Sequence, residues 1–139
     1  MKDHFSIDEI GEIVEYNQEI VEARNEPFGV NYEELQRIFD QINNPAIKFN
    51  DEQERVIFQT SCILGGISFH QPFKEGNKET ALSLAILFLR RNNFNLPLDS
   101  KEKEKEVFDI LEKTIFKFEG DTTIISEIQE FLKNKVVRI

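Results

Sequence analysis

Cysteine, tryptophan, histidine and positive charge are all scarce in this chain. Of its 139 residues, one is cysteine (Cys62) and none is tryptophan. A lone cysteine excludes an internal disulfide and offers no cysteine-based metal cluster. The two histidines, His4 and His70, have no spacing typical of a ligand pair. No run of about 20 apolar residues is available to span a bilayer, and no early apolar segment resembles a signal peptide. The expected setting is therefore cytoplasmic, with no membrane partner. Basic residues number 17 against 26 acidic ones, a net charge of −9. Affinity for a phosphate backbone rests on clustered Lys and Arg, so no direct nucleic-acid binding is expected. With 6 glycines and 4 prolines, the chain has no linker-like stretch, and it shows no internal repeat.

What remains is ordinary globular material, 40% hydrophobic and 31% charged, of a length that fits one domain with a single core. Its periodicity is helical almost throughout. Ser6 and Glu9 have capping-box spacing, and Ile7, Ile10, Ile13, Val14, Ile20 and Val21 follow as an apolar stripe. Glu26-Pro27-Phe28-Gly29 breaks the pattern. Asn31 with Glu34 reads as a second cap, leading to Leu35, Ile38, Phe39 and Ile42. Asn43-Asn44-Pro45 reads as a loop.

A third helix starts near Asn50 or Asp51, and Gly65-Gly66 either weakens its end or admits a neighbouring helix. The fourth, from about Asn77 to Asn92, is apolar around most of its circumference, which marks it as central. Asp99 or Ser100 caps a fifth, which Gly120 stops, and the alternating charges from Lys101 to Glu106 read as its solvated face. A sixth carries Ile124, Ile125, Ile128, Phe131 and Leu132, and Val136-Val137 adds a short extended tail. Tyr16 and Tyr32 read as core or interface, and Cys62 as core. The expectation is an all-α, single-domain bundle over residues 1–139, built around a buried central helix.

The stretch Gln71-Pro72-Phe73-Lys74-Glu75-Gly76-Asn77-Lys78-Glu79-Thr80-Ala81 is the most informative. It is a loop that delivers a carboxylate and free backbone N–H groups to a helix N-terminus, a place suited to phosphate with its metal ion. It resembles the signature of the Fic/Doc family (filamentation-induced-by-cAMP and death-on-curing proteins), His-x-Phe-x-Asp/Glu-Gly/Ala-Asn-Gly/Lys-Arg. The order of helices, Glu26-Pro27-Phe28-Gly29-Val30, and the run from Asn77 to Asn92 resemble the death-on-curing branch, so the likeness extends from about residue 5 to about residue 133.

That resemblance implies transfer of AMP or phosphate from a nucleoside triphosphate to a protein hydroxyl, with Mg²⁺ and ATP as cofactors. It implies Glu75 as the metal-holding carboxylate, Gly76, Asn77 and Lys78 as the phosphate-binding helix start, and Phe73 as the buried anchor of the loop. Two positions depart from the pattern. Gln71 stands at the place of the motif histidine, and an amide has no useful basicity near neutral pH. Glu79 stands at the place of the motif arginine, putting negative charge where phosphate would lie. Weakened nucleotide binding and weak or lost transfer are therefore expected.

His70 is an alternative base if the loop shifts register, which would make the chain an active toxin-like transferase. Lys74, Lys78 or Arg90 would then be the candidates to replace the lost cation. A third reading is a partner-binding domain without catalysis. The partners implied are a target protein or an antitoxin-like protein. The family's autoinhibitory motif does not occur, so no restraint from within the chain is expected.

Overall fold

The computed structural model describes residues 7–44, 48–115 and 123–139. His4, the cap at Ser6, Pro45, Phe118 and Gly120 lie outside them. The described residues form six helices: α1 (Ile7–Ala23), α2 (Tyr32–Asn43), α3 (Glu52–His70), α4 (Asn77–Arg91), α5 (Lys101–Ile115) and α6 (Thr123–Lys135). Two short strands, β1 (Phe94–Asn95) and β2 (Val137–Arg138), pair antiparallel. The all-α bundle read from the periodicity is the fold observed, and no helix of the described residues is long and apolar enough to cross a membrane.

The helix starts follow local chemistry. Asn31 Oδ1 accepts from Glu34 N at 3.1 Å at the head of α2. Asp51, rather than Asn50, caps α3, its carboxylate accepting from Gln53 N at 2.7 Å. Ser100, rather than Asp99, caps α5 through Lys103 N at 3.2 Å. Each of these side chains satisfies a backbone donor that has no partner within its helix. Asn92 ends α4 and is fully buried, its amide donating to Phe88 O at 2.9 Å.

The axis of the bundle is α3, which packs against α2, α4, α5 and α6. The expected central helix, α4, is buried around most of its circumference and lies between α3 and α1, with Ser83, Arg90 and Arg91 exposed. Periodicity marked the burial of α4 but not the depth of α3, because α3 hides hydroxyls in its core. Thr60 Oγ1 donates to Val56 O at 2.7 Å and Ser61 Oγ to Ile57 O at 2.8 Å, so these two hydroxyls are buried without losing hydrogen bonds. Gly65-Gly66 does not end α3, which runs on to His70. Instead Ile38 of α2 comes so close that a Cβ at Gly66 would lie 3.3 Å from its Cγ2. Tyr16 and Tyr32 are exposed rather than core residues. The tail after α6 does extend, as Val137–Arg138 against Phe94–Asn95, although β1 has no signal of its own in the sequence.

Candidate functional site

The helix α3 delivers the chain to the loop at residues 71–76, and α4 takes it away. Gln71 ends α3 in the left-handed region, with φ 48° and ψ 61°, its N–H donating to Ile67 O at 3.0 Å. The side chain of Gln71 is exposed. Pro72 and Phe73 turn inward, and Phe73 is 2% exposed, as an anchor requires. From the other side, residues 29–31 lie along the loop. Asn31 N donates to Pro72 O at 2.7 Å and Lys74 N to Gly29 O at 2.9 Å, around an antiparallel bridge between Val30 and Phe73. These two segments line a shallow hollow of about 310 Å³ beside Gln71 and Lys74. Larger hollows lie elsewhere, one of about 480 Å³ between α3 and α6 and one of about 370 Å³ between α1 and α4.

The turn into α4 is closed by Asn77. Its Nδ2 donates to Phe73 O at 2.8 Å, and its Oδ1 accepts from Phe73 N at 3.0 Å. The asparagine side chain is thus committed to the loop, and only its backbone N–H is left for an anion. Gly76 precedes the first helical residue with φ +76° and no side-chain cap bond. The first turn of a helix has N–H groups without intrahelical partners, and here no capping side chain takes them. Glu75 is exposed beside them, Lys78 is half-buried, and Glu79 is in the first turn.

The two departures from the motif have distinct surroundings. Glu79 Oε1 lies 3.4 Å from Arg24 Nη2, and Arg24 Nη1 lies 3.5 Å from Glu26 Oε1. The guanidinium therefore stands between two carboxylates at the edge of the site. His70 is turned to α2, with Nδ1 3.6 Å from Glu34 Oε2 and its ring edge-on to Phe69. Arg90 is 13 residues beyond Asn77, about 20 Å along the helix, and Nε points to Asn95 Oδ1 at 3.5 Å. It is too far away to replace the missing cation.

Two residues absent from the sequence reading belong to this site. Arg24 supplies the cation nearest Glu79. Asn17 of α1 is fully buried, and its Nδ2 donates to Glu75 O at 2.8 Å and to Thr80 Oγ1 at 3.1 Å. Asn17 did leave a signal, being a polar residue within the apolar stripe that runs through Ile13, Ile20 and Val21. Arg24 left none.

Among the described residues, no group of three or more His, Cys, Asp or Glu is placed to hold a metal ion by itself. A single exposed carboxylate suits Mg²⁺ that arrives with a phosphate ligand, since that ion keeps several waters and takes one or two carboxylates. Glu75 beside an uncapped helix start is such a donor set. No protein-family model matches the chain, and no curated protein or solved structure does so either.

Proposed function

We propose that this chain is a degenerate Fic/Doc-type domain that keeps a place for a magnesium-bound nucleoside triphosphate but transfers AMP or phosphate to protein hydroxyls weakly or not at all. The observation that carries the reading is the turn Phe73 to Asn77. Its anchor is buried, its glycine is left-handed, and an exposed carboxylate stands beside an uncapped helix start. Backbone N–H groups and the helix dipole favour negative charge there, whatever the side chains are.

Within this reading Glu75 holds the metal ion, and the N–H groups of α4 orient the phosphate oxygens. Bound Mg²⁺–ATP would supply the activated phosphoryl group and offset its charge. Gln71 orients a hydroxyl without accepting its proton, and absence of a general base costs about 10²–10⁴ in rate. Glu79 opposes phosphate, although Arg24 offsets part of its charge. The weakened reading is preferred to one with His70 as base because the His70 ring faces Glu34 on α2. A protein bearing the acceptor hydroxyl, or an antitoxin-like protein, is the partner class implied.

The test is transfer from labelled ATP with Mg²⁺ in a lysate. Wild type is expected to label little or nothing. Gln71→His with Glu79→Arg should raise transfer by about 10²–10⁴, with each single change recovering much less, because both groups act on one transition state. The backbone at 71 favours this variant, since histidine is among the residues enriched in the left-handed region. A folded double variant as silent as wild type would overturn the proposal. Strong wild-type labelling that is lost in His70→Ala would replace it with the active reading.

A further inference from the structure

We infer that Asn17 is a positioning residue, holding the Glu75 backbone from behind so that its carboxylate is presented outward at the start of α4. This rests on the proposed reading of Glu75 as the metal-holding carboxylate.

Asn17 lies on the apolar side of α1, between Ile13 and Val21, and is 0% exposed. Burying an amide is costly unless it is hydrogen-bonded, and an apolar residue would meet the packing need at this place. What the amide does here is bond twice across the joint between loop and helix. Nδ2 reaches Glu75 O on one side of Gly76 and Thr80 Oγ1 on the other, at sequence separations of 58 and 63. The Oδ1 has no partner in the structure, so the two donated bonds alone orient the group.

Gly76 makes the approach possible. A Cβ there would lie 3.2 Å from Asn17 Nδ2 and 3.3 Å from Val21 Cγ1, and its φ of +76° is itself unfavourable for a side chain. Helix α1 therefore presses on the loop backbone just behind Glu75. The same loop is tied from the front by Asn77 to Phe73 and along its edge by Lys74 to Gly29. With its carbonyl held by Asn17 and its neighbours on both sides fixed, Glu75 has little backbone freedom, and its side chain is left facing solvent. Residues that orient a ligand in this way affect metal affinity by about 10–100-fold.

Amide hydrogen exchange and Mn²⁺ binding in the presence of ATP test this on the full chain, well below the melting temperature, with Asn17→Ala and Thr80→Val. Asn17→Ala should speed exchange at residues 74–78 by about tenfold or more while α6 is unchanged. It should also weaken Mn²⁺ binding by about 10–100-fold. Thr80→Val keeps the bond to Glu75 O, so it should lower the melting temperature and leave Mn²⁺ affinity within about threefold. Asn17→Ser serves for both measurements if Asn17→Ala does not fold. Unchanged exchange at 74–78, or equal loss of Mn²⁺ affinity in the Asn17 and Thr80 variants, would overturn the inference. Mn²⁺ binding identical in wild type and Glu75→Gln would instead remove the metal reading of Glu75, and the exchange result would still decide what Asn17 does.

Discussion

Arg24, just past the end of α1, places Nη2 3.4 Å from Oε1 of Glu79 in the first turn of α4, joining residues 55 positions apart. The arrangement changes what Glu79 means. On the proposed reading, a lone carboxylate at this helix start would repel a nucleotide. Beside Arg24 it is half of an ion pair, and the guanidinium is also 3.5 Å from Glu26 Oε1. The sum of these three groups is still negative, two carboxylates against one guanidinium, so on the proposed reading phosphate affinity is expected to be reduced rather than removed. The pair is substantially exposed, which limits its worth to stability to about 1 kcal/mol or less.

Glu79→Arg is accordingly expected to leave the melting temperature nearly unchanged and to tighten pyrophosphate binding by about tenfold or more. The gain should shrink as salt is added, because exposed charges are screened. Arg24→Ala should act in the opposite direction. Calorimetric titration of the three proteins with pyrophosphate checks this, and equal affinities would mean that neither charge faces the anion.

Gly76→Ala should destabilise the fold by about 1–3 kcal/mol, because it adds a side chain at positive φ. The new Cβ would also crowd Asn17 and Val21 of α1, neither of which is at liberty to move. Urea denaturation measures the loss. An unchanged midpoint would show that the loop relaxes away from α1.

Phe73→Ala should cost about 3–5 kcal/mol, the usual cost of emptying a buried aromatic site. The loss should extend to the segment at residues 29–31, because Val30 bridges to Phe73 and two backbone hydrogen bonds flank that bridge. Faster amide exchange at Asn31 and Lys74 is the specific sign. A drop in stability with no change at those two amides would separate the anchor from the segment it supports.

Burial pushes the Cys62 thiol up from about 9 to about 11. The folded state thus holds this proton more tightly than the unfolded chain. The associated stabilisation is fully present below about pH 9 and is lost as pH rises through about 11. Cys62→Ala should therefore show a shallower decline of denaturation midpoint across that window than wild type. Alkylation of native Cys62 by iodoacetamide should be slow at pH 8, since the thiolate is the reactive form. Rapid labelling at that pH would contradict its burial.

Much of the helical order was legible because its signals are local. Asn31, Asp51 and Ser100 reach donors two or three residues away, and the apolar stripe of α2 needs only the helical repeat to be seen. The helix start at Asn77 was legible for the same reason, since a turn into a helix leaves its mark within a few residues, whereas the left-handed φ of Gly76 was seen only in the structure. The depth of α3 was not legible. Burial of Thr60, Ser61 and Gln59 depends on hydrogen bonds to carbonyls, so side-chain polarity misreports how deep α3 lies.

The pairing of β1 with β2 joins Phe94 to Arg138, and two residues of strand have no periodicity to detect. The same distinction divides the candidate site. The amino-acid order alone determined a helix start at Asn77 with a carboxylate just before it, because φ preferences, capping and helical repeat act over a few bonds. Only the tertiary structure decided that Asn17 holds Glu75 and that Arg24 faces Glu79. Those contacts span 58 and 55 positions, and they depend on where α1 packs against α4. Burial of apolar surface sets that packing, and it is non-directional until the whole core closes.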